Sequence, residues 1–83
     1  MLATELQNLL ENRACNWSFS VTGEGRNFQI LAISDDFQTM PRVKRQQAVY
    51  RLIAGEIAEG DLHAITITAL THEEKDKREG LGL

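Results

Sequence analysis

Cysteine is almost absent: Cys15 stands alone, which excludes an internal disulfide and any metal site built on clustered thiolates. One proline, no repeat and no low-complexity stretch leave nothing that reads as a linker. No apolar run approaches the ~20 residues that cross a bilayer. Met1 is followed by a polar, helix-like start (Ala3-Thr4-Glu5-Leu6-Gln7) without the apolar segment of a secretory signal. The expected location is therefore the cytoplasm, with no membrane association. Surplus positive charge is missing too. A net charge of −3 argues against blanket affinity for nucleic acid or anionic lipid, while leaving room for a local patch. What is present is an ordinary globular composition, 42% hydrophobic and 25% charged over 83 residues, which suits one core and not two.

Leu2, Leu6, Leu9 and Leu10 follow the i, i+4, i+7, i+8 spacing of a first helix. Thr4 and Gln7 suit a capping box that starts it near Glu5, and Asn12 and Asn16 mark its end. Trp17, Phe19 and Val21 then alternate with Ser18, Ser20 and Thr22, which predicts a strand with one wet face at a sheet edge. Gly23-Glu24-Gly25-Arg26 reads as the turn of a hairpin. From Phe28 to Ile33 both faces are apolar, as in a central strand, and Asp35-Asp36 ends it. Pro41 opens a long helix expected to run to about Glu59, with Gly60 as its stop. Its apolar arc is Val43, Val49, Tyr50, Ile53, Ala54 and Ile57, with Lys44 and Arg51 opposite. Leu62 to Leu70 is a third strand, with His63, Ile65, Ile67 and Ala69 on one face. Thr71 and Glu74 form a capping box for a short charged helix over 73–79, and residues 80–83 are expected to fray.

The order α-β-β-α-β-α predicts an α/β fold of the α+β kind, with one domain over 1–79 and a flexible tail over 80–83. A right-handed crossover places the third strand parallel to the second and beside it. The sheet is then three-stranded and mixed, in order 1-2-3, with helices on one face. Parallel neighbours start at the same end, so Arg26, Asn27 and Phe28 should meet Leu62 and His63 at one edge. Cys15 precedes the antiparallel strand and falls roughly 15–20 Å away, at the other end. Cys15 and His63 therefore cannot share a metal or act as nucleophile and base. No other nucleophile–base or paired-carboxylate constellation is brought together, and the chain is not expected to be an enzyme.

Phe37-Gln38-Thr39-Met40-Pro41-Arg42-Val43-Lys44-Arg45-Gln46-Gln47-Ala48-Val49-Tyr50, then His63-Ala64-Ile65 and Thr71-His72-Glu73-Glu74, resembles the BolA family, in its IbaG-type bacterial branch. The short Gly-acid-Gly turn matches that branch, and the resemblance spans Val21 to Glu74. It implies a class II KH-like domain, in agreement with the topology above. It also implies a monothiol (CGFS) glutaredoxin as partner, and a [2Fe–2S] cluster shared with that partner and its glutathione. None is expected in the isolated chain. The family's histidine at the start of the last strand maps onto His63. Its second ligand, a His or Cys in the hairpin loop, maps onto Asn27, and neither residue type occurs between Val21 and Phe37. Thr39, His72 and Lys75 also depart from the family pattern. Iron–sulfur clusters prefer thiolate and accept imidazole; an amide oxygen is a poor substitute.

Arg26, Arg42, Lys44, Arg45 and Arg51 make a basic set suited to partner binding. The alternative function is a nucleic-acid-binding regulator using the KH-like fold and this basic helix. Against it stand the acidic net charge and the absence of a G-x-x-G clamp between helices. Trp17, Phe19 and Phe28 are core by spacing, Cys15 reads as a half-buried small hydrophobe, and His72 as solvated. The expected association state is a monomer or a weak homodimer.

Overall fold

Leu6 and Leu10 lose all exposure in the computed structural model, which describes residues 1–81. Four residues apart, they form the inner face of helix α1 (Ala3–Arg13), which packs along strand β1 (Ser18–Glu24). The helix begins earlier than its sequence suggests. Glu5 reaches back to accept from the Leu2 N–H at 2.8 Å, while Gln7 turns to β1 and accepts from the Val21 N–H at 3.1 Å. The Thr4–Gln7 capping box is not formed, because Gln7 has this tertiary partner.

β1 pairs antiparallel with β2 (Asn27–Ile33), and β2 pairs parallel with β3 (Ala64–Leu70), in the order β1-β2-β3. Phe19, Val21, Phe28, Ile30, Ala32, Ile67 and Ala69 face the helices and are buried. Ser18, Ser20, Thr22, Gln29 and Thr66 lie on the other face and are exposed. Alternation in β1 thus places the wet face as expected. The hairpin turn is only two residues long, since Glu24 already pairs with Asn27. Gly25 enters it with φ 69°, the conformation a two-residue hairpin asks of its first glycine.

Two features of the middle of the chain differ from expectation. Asp35–Thr39 form a 3₁₀ turn capped by the buried Ser34, whose hydroxyl accepts from the Asp36 N–H at 3.1 Å. The long helix is broken: α2 (Arg42–Leu52) and α3 (Ala54–Ala58) meet at Ile53, which leaves helical geometry at φ −123° and ψ 13°. Ile53 itself is fully buried. The break lets it enter the core while Arg13 clasps the junction, donating to the Leu52 carbonyl at 2.6 Å and to both Glu56 carboxylate oxygens. The buried residues of α2 are Arg45 and Val49, with Ile53 following at the break, so Val43 and Tyr50, expected in the core, lie outside it.

Helix α4 (His72–Leu81) starts at the Thr71–Glu74 capping box. The Thr71 N–H donates to Glu74 Oε1 at 2.8 Å, and the Glu74 N–H donates to Thr71 Oγ1 at 3.2 Å. The helix runs past Glu79 to Leu81, and the rest of the expected tail, 82–83, lies outside the described residues. α1 and α2 cover one sheet face. Lys75, Arg78 and Glu79 of α4 instead border the other, beside Leu31 and Thr68.

Candidate functional site

His63 owes its position to its neighbours in the chain. Gly60 reverses the backbone after α3 at φ 84°, and Leu62, 2% exposed, anchors the segment in the core. The His63 N–H then donates to the Arg26 carbonyl at 2.8 Å, and the Ala64 N–H donates to the same oxygen at 3.2 Å. Main chain is pinned on both sides while the imidazole stays in solvent. β3 begins at Ala64, so His63 precedes the strand, and Leu62 rather than His63 fills the core position.

Asn27 stands across from Ala64 in the β2–β3 register, with its side chain exposed. The structure thus brings Arg26, Asn27 and His63 to one sheet edge. Gly23 shapes the approach: at φ 118°, a Cβ there would lie 2.3 Å from the Asn27 carbonyl oxygen. Cys15, which is exposed and not half-buried, sits beyond the other end of β1. Six residue steps from Asn27 to Ile33 put about 20 Å between the two ends. Among the described residues, no three His, Cys, Asp or Glu side chains converge as a metal site. The donor set on this edge is one imidazole and one amide, a single good metal ligand and not a complete set.

The basic helix is only partly as expected. Arg42, Lys44 and Arg51 are exposed, as is Arg26 in the turn. Arg45 is not part of that surface. It is 8% exposed, and its guanidinium donates to the Met40 carbonyl at 2.9 Å, the Ala69 carbonyl at 3.2 Å and Glu74 Oε1 at 2.6 Å. These contacts occupy the charge that a partner would meet. The Arg45 hydrogen bond, with the Thr71 N–H, lowers the Glu74 carboxyl to about 2.

Between α2 and β3 runs a groove of about 660 Å³, walled by Val43, Gln46, Gln47 and Tyr50 on one side and Ile65 and Ile67 on the other. The i, i+4, i+7 spacing of Val43, Gln47 and Tyr50 marks this second face in the sequence, but the single apolar arc drawn there merged it with the core.

A small α+β domain with a mixed 1-2-3 sheet, a broken crossover helix and one exposed histidine at a parallel-strand edge is a recognisable class. The family model described as BolA-like protein matches residues 5–74. The chain is 39% identical over 70 residues to the acid stress protein IbaG of Escherichia coli K12, covering 84% of this chain and 83% of that protein. It is 33% identical over 82 residues to an uncharacterised protein of Acinetobacter guillouiae, covering 99% of both. A BolA homologue from Coxiella burnetii superposes with a TM-score of 0.80 at 19% identity, over 92% of this chain and 97% of that one. The BolA domain of SufE1 from Arabidopsis thaliana gives 0.71 at 26% identity, over 87% and 93%. The chain belongs to the BolA family.

Proposed function

We propose that this chain is a BolA-like adaptor that docks a monothiol glutaredoxin and takes part in the assembly or trafficking of [2Fe–2S] clusters, in the cytoplasm and as part of an iron or stress response. The observation that carries this reading is the mounting of His63. An imidazole whose backbone is held by a core leucine and a turn carbonyl, yet whose ring is free, is preorganised for a partner's metal. The cluster is cargo here. Partner thiolate and glutathione hold most of it, and His63 adds one nitrogen from this side. Asn27, opposite the strand start, supplies no good iron ligand. The relative's name, acid stress protein, supports the stress setting.

The test is anaerobic reconstitution with a CGFS glutaredoxin, followed by the visible absorbance of the complex. His63→Ala is expected to abolish the shared cluster, and Asn27→His to lengthen its lifetime. A spectrum unchanged in His63→Ala overturns the ligand role. The nucleic-acid reading retains Arg42, Lys44 and Arg51 but loses Arg45 to its ion pair. Binding through those three would weaken steeply with salt, and a glutaredoxin complex that forms without that dependence separates the two.

A further inference from the structure

β3 is an outer strand, and its outward side is only partly closed. Ala64 bonds inward to Arg26 and Leu70 inward to Ser34, so the alternation turns Ile65, Ile67 and Ala69 outward. Side chains of α2 take the outward carbonyls of two of the three: Gln46 Nε2 donates to the Ile67 carbonyl at 3.2 Å and Arg45 to the Ala69 carbonyl at 3.2 Å. The opposite edge is treated alike, Gln7 accepting from the Val21 N–H. Such covering keeps strand edges from pairing with other chains. At Ile65 it stops. No hydrogen bond among the described residues takes the outward N–H and C=O of Ile65.

The uncovered edge opens into the α2–β3 groove. Val43 and Tyr50 line it and are 67% and 46% exposed, a largely apolar ridge that nothing among the described residues covers. Arg42 and Arg51 also line it, nine residues apart and therefore about 13–14 Å along the helix axis. That distance equals about four residues of extended chain.

We propose that the Ile65 edge and the Val43–Tyr50 ridge form one docking site for an extended segment of a partner protein, with apolar residues at alternate positions and acidic residues flanking them. The segment exchanges main-chain hydrogen bonds with Ile65, adding a short strand to the sheet. Its apolar side chains cover Val43 and Tyr50, and its acids meet Arg42 and Arg51. A phosphate backbone suits the site less well: phosphates accept hydrogen bonds but give none to the Ile65 carbonyl, and the floor is apolar. The site uses neither His63 nor a cluster, so it goes beyond the adaptor reading and stands or falls separately.

The test is selection of a displayed random linear peptide library on the full chain, followed by binding of the enriched peptides in solution. Enrichment of apolar residues alternating between Asp or Glu is expected, with hydrogen-exchange protection appearing at the Ile65 amide. Val43→Asp and Arg51→Glu, both at exposed positions, should each weaken binding about tenfold or more. His63→Ala should bind as wild type. No enrichment, enrichment of basic peptides, protection on another element, or full binding by Val43→Asp overturns the proposal. So does a single-stranded oligonucleotide that binds through the same residues in place of peptide, or self-association of the chain through Ile65.

Discussion

Where β2 and β3 end, side chains knit the chain together. Trp17 Nε1 donates to Asp36 at 2.8 Å and packs edge-on against Phe37, Asp35 accepts from the His72 N–H, and Arg45 ties Met40, Ala69 and Glu74. Where the same strands begin, nothing of this kind occurs. Among the described residues, no side-chain hydrogen bond or ion pair involves 23–27 or 59–64. Glycine geometry, a buried leucine and bonds between main-chain groups are sufficient there. The difference separates two kinds of end: one spends its polar side chains on cohesion, and the other leaves them free of side-chain contacts.

The largest expected effect lies at the knitted end. Arg45→Met keeps an apolar stem but strands two carbonyls and Glu74, and should cost about 2–4 kcal/mol. Thermal or denaturant unfolding checks it, and a loss below 1 kcal/mol, about what an exposed change costs, would show that the knot contributes little. Next comes a sterically closed position at the open end. Gly23→Ala meets the Asn27 carbonyl and a positive φ, and should cost about 1–3 kcal/mol.

Acid should then distinguish the ends further. Glu74 is lowered from 4.5 to about 2, first by Arg45 and then by the Thr71 N–H. A carboxyl lowered in the folded state adds stability that is complete above its unfolded value and fades as pH falls through its folded value. Wild type should therefore lose this contribution between about pH 4.5 and 2, and Glu74→Gln should flatten that limb in denaturation series across the window. An equal slope in both proteins would place the acid sensitivity elsewhere. The smallest effects belong to the open end and the exposed helix face. His63→Ala and the double reversal Lys44→Glu with Arg51→Glu should each shift stability by no more than about 0.5 kcal/mol. A larger loss in either would mean that the free surface also has a structural duty.

Much of the architecture was legible because it is written locally. The alternation from Trp17 to Thr22, the two-faced apolar run from Phe28 to Ile33 and the Thr71–Glu74 capping box each name an element without tertiary help. Handedness of the crossover then sufficed to bring His63 beside Asn27. What was not legible depends on partners distant in sequence. An arginine reads as surface until the Met40 and Ala69 carbonyls and Glu74 surround it, and no spacing within α2 announces them. Mistaking one face of α2 for core also hid the groove, since Val43 and the ring of Tyr50 read as core beside Val49 and Ile53. The break at Ile53 has only Gly55 nearby as a local signal, and a glycine inside a helix does not by itself place a break; burial of the Ile53 side chain and the clasp of Arg13 do.

The carbonyl of Arg26 fastens His63 through an atom that every amino acid possesses. The side chains at positions 26 and 27 are thereby uncoupled from the placement of the histidine. Position 27 can exchange an amide for an imidazole or a thiol, and position 26 its charge, without re-engineering the neighbouring strand. Positions 26 and 27 are in this sense interchangeable fittings on a fixed mount, open to substitution while the backbone that carries His63 stays as it is.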